Sequence, residues 1–167
     1  MQLVSTYVVY QSARQERWGA ARNAAQRLIE QYAAHEEVAD VLWWLGRNLQ
    51  RHDRDDDASE TFRALSHAFP KHPRADDALY RVSQLQWWHG DKEEATETLL
   101  AFTERYPESE HVAHAFFLLA EYETERDVEK ANTYRTLAAS SGLGRYYAHR
   151  AMAELFTNEG GGSTMFM

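Results

Sequence analysis

The sequence predicts an all-α fold of stacked antiparallel helix hairpins, and three observations predict it. A pattern of apolar and small residues recurs about every 37 residues. Only 8 Gly and 3 Pro interrupt a 167-residue chain that is 44% hydrophobic, so few irregular loops are expected. No alternation of apolar and polar residues runs longer than a few positions. Self-similarity at this period marks helical hairpins that cannot bury their apolar faces alone and stack to do so.

The second half of each unit carries the period most clearly. Ala58, Phe62, Leu65, Phe69 and Pro70 are followed at the same steps by Ala95, Leu99, Phe102, Tyr106 and Pro107. From Ala21 the steps give Ala25, Leu28 and Tyr32, with Ala33 in the place of the proline. From Ala131 only Ala138 fits, so the last copy is degraded.

Taken in order, helices are expected over 4–13 and 18–34, then 37–51 and 57–69, then 75–89 and 92–106, then 111–124 and 128–139, with a final single helix over 145–156. Pro70 and Pro107 end the second helix of their hairpins, because proline cannot continue one. Asp53-Arg54-Asp55-Asp56 and Gly90-Asp91 make the turns inside the second and third hairpins. The aspartates of the former sit near the next helix N-terminus, where the dipole favours negative charge. Ser140-Ser141-Gly142 punctuates the fourth hairpin. Ala58, Ala95 and Ala131 are small where two helices cross closely, and Gly46 and Ser83 are small on the opposing helix for the same reason. Residues 1–156 read as one helical domain. Residues 157–167, with Gly160-Gly161-Gly162-Ser163, read as a flexible tail or the start of a linker.

Charge and composition exclude several functions. A net charge of −8 with scattered acids argues against nucleic-acid binding through phosphates. The chain has no cysteine, hence no disulfide framework and no thiolate metal site. No run approaches the length of a membrane-spanning helix, and Val8-Val9-Tyr10 is too short for a signal-peptide core. No nucleophile constellation or phosphate-cradling glycine loop is present, so neither catalysis nor a cofactor is expected. His111 and His114 stand three apart beside Glu110, a spacing that chelates metals, but a third ligand is not evident and a solvated helix start is the simpler reading. Glu121, Glu123, Glu125 and Asp127 likewise read as a solvated helix end.

The spacing resembles the tetratricopeptide repeat. Its motif falls on Leu42, Leu45, Gly46, Leu49, Ala58, Phe62, Leu65 and Pro70 in the second hairpin, and on Leu79, Val82, Ser83, Gln86, Ala95, Leu99, Phe102 and Pro107 in the third. Gln86 departs from the aromatic of the motif. The fourth copy departs further, with Ala115, Leu118, Leu119, Tyr122, Ala131, Arg135 and Leu143. The resemblance implies a right-handed superhelix that acts as a protein-interaction scaffold and holds a protein or peptide in its concave groove. In that register the groove residues include Trp43, Arg47 and Arg51 of the second hairpin, Tyr80, Gln84, Trp87 and Trp88 of the third, and Phe116 of the fourth. Aromatics anchor partners at low entropy cost, and Arg47 and Arg51 beside them suit a carboxylate. The alternative is that the aromatic stripe is core, packed against neighbouring helices.

Two finer resemblances point to the bacterial envelope. Tyr106-Pro107-Glu108-Ser109-Glu110…Ala113 is similar to the outer-membrane assembly and cell-division branch of the repeat family. Ala138-Ala139-Ser140-Ser141…Tyr146-Tyr147-Ala148-His149-Arg150-Ala151 resembles the segment that closes the superhelical region of soluble lytic transglycosylases. Their catalytic Glu-Ser and Gly-Leu-Met-Gln segments have no counterpart here, so the resemblance implies the scaffold without the enzyme, associated with peptidoglycan. A free-standing adaptor, of the envelope type or cytoplasmic, is the other reading. The compartment follows the choice: periplasm or envelope under the first, cytoplasm otherwise.

Overall fold

The computed structural model describes residues 2–32, 35–142 and 145–160. Among these, all regular structure is helical: α1 (Gln2–Arg14), α2 (Trp18–Tyr32), α3 (Glu37–Arg51), α4 (Asp55–Ala68), α5 (Ala75–His89), α6 (Lys92–Arg105), α7 (Val112–Glu123), α8 (Val128–Ser140) and α9 (Arg145–Gly160). The all-α hairpin order expected from the sequence is observed, with helix ends displaced by a residue or two. The last helix runs past Phe156 to Gly160. The remainder of the expected tail, residues 161–167, lies outside the described residues, as do Ala33, Ala34 and Leu143 of the repeat register. Among the described residues no helix is long and apolar enough to cross a membrane.

The sequence period returns in the backbone. The turn that closes α1 has Arg17 N–H donating to the Ser12 carbonyl and Glu16 N–H to the Ala13 carbonyl. The same two bonds recur one period on, from Arg54 to Leu49 and Asp53 to Gln50, and again from Asp91 to Gln86 and Gly90 to Trp87. This pairing is the Schellman closure, which requires a left-handed residue just past the helix. Glu16, Asp53 and Gly90 supply it, with φ of 54°, 54° and 93°. Only the third uses glycine, so the first two turns carry the steric cost of a side chain there.

The connections between hairpins repeat as well. Helix α4 ends at Phe69 (φ −128°) and α6 at Tyr106 (φ −129°), each forced out of helical geometry by the proline that follows. His35 N–H donates to Tyr32 and Val38 N–H to His35. The same bonds link 69, 72 and 75, and then 106, 109 and 112. The first of these connections closes without a proline, so hydrogen bonding shapes the turn and proline only sharpens the stop.

The chain divides into two compact units, the first ending at Leu85 and the second beginning at Gln86. In the first, α1 packs on α2, α3 on α4, and both α1 and α2 against α3. Gly46 on α3 faces the fully buried Phe62 of α4, and a Cβ at Gly46 would lie 2.6 Å from the Phe62 ring. The expected close crossing is therefore real. Arg22 on α2 pairs with Asp57 and Glu60 on α4.

In the second unit α7 packs on α8 and α9, α8 on α9, and α6 on α7. Phe117, Ala138 and Ala151 form a buried cluster flanked by Phe116 and Tyr147. Asp127 caps α8 by accepting from Lys130 N–H at 3.0 Å. Arg135 occupies the position filled by Phe62 and Leu99 in the earlier copies, and it is 4% exposed. Its Nε donates to Glu154 (3.1 Å), Nη1 to Asn132 (3.1 Å) and Nη2 to Thr124 (2.8 Å). The degraded fourth copy thus replaces an apolar knob with a hydrogen-bonded ion pair.

Candidate functional site

In the first unit the site is built around Trp43, one helical turn before Arg47 on α3. The indole is half-buried, with its ring 5.4 Å from Phe62, so the core fixes its position. Three guanidiniums surround it: Arg47 at 5.9 Å from the ring centroid, and Arg74 and Arg81 at 5.2 Å each. Such cation–π contacts offset part of the repulsion between like charges. Burial, and next the neighbouring Arg47, disfavour the charged form of Arg81, while Asp77 and Tyr80 favour it. Arg51 is exposed and Gln84 half-buried, as an accessible face requires.

Tyr80 is different. At 4% exposure it belongs to the core of the first unit rather than to its accessible face. The repeat register assigns it to the groove, but α5 buries successive residues Ala78, Leu79 and Tyr80 together. Arg74 and Arg81 were not singled out by the sequence. Arg74 lies in the connection after Pro70, and Arg81 lies one residue off the register position occupied by Tyr80. The signal available was the Arg74–Arg81 spacing, two turns apart on and before one helix.

The second unit carries the other three aromatics. Trp88 is 68% exposed. Its neighbour Trp87 is half-buried and already engaged, because Lys92 Nζ lies 3.6 Å from its ring centroid and donates to its carbonyl at 3.0 Å. Phe116 is half-buried and stacks on Tyr134 at 6.2 Å beside the Phe117 cluster. The stripe therefore divides into one open indole and two rings partly held by their own unit.

His114 does not sit at a solvated helix start. It is half-buried and stacks on Tyr147 at 3.7 Å with the planes 7° apart, and Tyr146 meets Tyr147 edge-on at 4.9 Å. Burial, followed by the charges of His111 and Arg150, pushes the imidazole from its ordinary 6.5 down to about 4. The folded state therefore resists a proton that the unfolded chain accepts. The stabilisation is present above pH 6.5 and is lost as pH falls toward 4. Denaturant titrations at pH 7.5 and 4.5 are expected to differ by on the order of 2–3 kcal/mol from this group. His114→Gln should remove that part of the difference; an unchanged difference would assign it elsewhere.

Glu123 also departs from the solvated reading. It is 6% exposed and pairs with Lys130 of α8, whereas Glu121 and Glu125 of the same run are exposed. Spacing alone does not reveal this, since the partner comes from the next helix.

Residues 40–72 and 77–109 match the tetratricopeptide repeat family. No curated protein matches the chain. The two stretches cover α3–α4 and α5–α6, the copies in which the period is cleanest. Over these two stretches, which together make up less than half of the chain, the sequence is similar to tetratricopeptide repeats.

Proposed function

We propose that the chain is a non-catalytic interaction scaffold that holds a protein or peptide partner. Trp43, Arg47, Arg51 and Gln84 make the contacts on the first unit, and Trp87, Trp88 and Phe116 make them on the second. The observation that carries this reading is the pair of tetratricopeptide repeats, since stacked repeats present extended surfaces to partners. The openness of Trp88 supports it, because an exposed indole is a typical anchor. The phrase running from Ala138 to Ala151 supports a sharper version, in which the chain is the scaffold of a lytic-transglycosylase-like envelope protein.

One variant tests the scaffold reading. Trp88→Ala is expected to weaken binding of a captured, identified partner by about 1–4 kcal/mol while leaving the melting temperature unchanged. Lost stability with intact binding would retire the indole as an anchor. Parallel sedimentation with peptidoglycan sacculi separates the two versions: co-sedimentation is expected of the envelope scaffold, and a chain that stays in solution leaves the free-standing adaptor.

A further inference from the structure

We infer that the first unit recognises an acidic segment: Arg47, Arg74 and Arg81, gathered on the Trp43 indole, bind consecutive Asp or Glu side chains of a partner protein. The inference rests on the scaffold reading and adds the chemistry of what is held.

The cluster is unusual in its setting. The chain has 26 acidic against 18 basic residues, so arginines have many local carboxylates to choose from. Here three of them instead lie within 6 Å of one ring centroid. Internal compensation is thin. Arg74 reaches Asp77 at 3.8 Å, and the nearby Asp40 lies 3.7 Å from His72. Among the described residues neither Arg47 nor Arg81 forms a salt bridge, and the buried Arg81 Nε has no hydrogen-bond acceptor. Gathering like charges without counter-ions is unfavourable, and an incoming anion relieves it.

The geometry selects carboxylates on a protein segment. An indole face attracts a guanidinium but cannot accept its in-plane N–H fork, which matches a carboxylate. Three guanidiniums present more donors than the lone pairs of one carboxylate can satisfy, so adjacent acidic side chains fit better than a single terminal group. A nucleic acid brings phosphates to the same arginines, but its extended charge also meets the field of a chain carrying −8. A short acidic run feels only the local cluster.

The test uses the full chain and short, amidated, fluorescein-labelled peptides containing a run of Glu, with a matched Gln-run peptide and a single-stranded oligonucleotide. Anisotropy should show binding of the Glu peptide and not of the Gln peptide, weakening with added salt. Arg74→Gln, at an exposed position, and Arg81→Lys, which keeps the charge and loses the fork, should each weaken it about tenfold. Arg27→Gln, the same charge change on α2, should leave it unchanged. Circular dichroism confirms that each variant is folded. Equal binding of the Gln peptide, equal loss in Arg27→Gln, stronger competition by the oligonucleotide, or binding only by a peptide with a free C-terminus would each overturn the inference. If the Glu peptide fails to bind while capture of a partner still depends on Trp88, the acidic-segment inference falls and the scaffold reading stands.

Discussion

Replacing Phe62 with alanine is expected to lower the stability of the folded chain by about 3–5 kcal/mol, the cost of emptying a fully buried aromatic site. Its neighbour on α3 makes the expectation specific. A methyl at Gly46 would meet three Phe62 ring carbons at 2.6–2.9 Å, and Trp43 packs on the same ring, so the ring has nowhere to move. Gly46→Ala gains up to about 1 kcal/mol of helix propensity and loses about 1–3 kcal/mol to overpacking, for a net loss. In the double variant the new methyl enters the space that the ring leaves. The two losses should therefore sum to more than the double variant shows, by about 1 kcal/mol or more. Urea unfolding of the four proteins measures this. Strict additivity would mean that Gly46 and Phe62 do not meet as knob and notch.

That pair was legible in the sequence, and the reason is local. Gly46 and Phe62 sit at fixed steps in a recurring pattern, and the turn that brings their helices together is closed by backbone bonds between residues five apart or less. Such features survive as spacing. The arginine cluster was only half legible for the opposite reason. Arg47 shares α3 with Trp43, but Arg74 and Arg81 come from another connection and another helix, and their approach to the indole depends on packing. Tyr80 shows the same limit in reverse: a register position marks which way a residue leans in an average repeat, not how deeply a particular helix is buried. His114 was unreadable because its partner Tyr147 belongs to α9, beyond the last recognisable copy.

Removing the Glu154 carboxylate should destabilise the second unit by about 3–5 kcal/mol, because it leaves a buried guanidinium without its counter-charge. Arg135 would keep its bonds to Asn132 and Thr124, but both acceptors are neutral and cannot offset desolvation of a cation. Arg150 also loses a partner, 3.4 Å away, though it is half in solvent and that contact contributes little. The repeat pattern supplies the control. Earlier copies place Phe62 and Leu99 at this step, so an apolar side chain suits the site in principle. Arg135→Met keeps much of the volume and should cost less than about 1.5 kcal/mol, or stabilise, since a well-packed apolar group often matches a buried pair. Combined with Glu154→Ala, it should recover most of the loss seen in Glu154→Ala alone. Chemical denaturation of both single variants and the double decides the matter. A double variant as unstable as Glu154→Ala would show that the carboxylate serves the α8–α9 contact through something other than the charge on Arg135. Recovery would identify the ion pair as the fourth copy's substitute for the apolar knob, and would explain why the repeat loses its sequence signature there while keeping its helices.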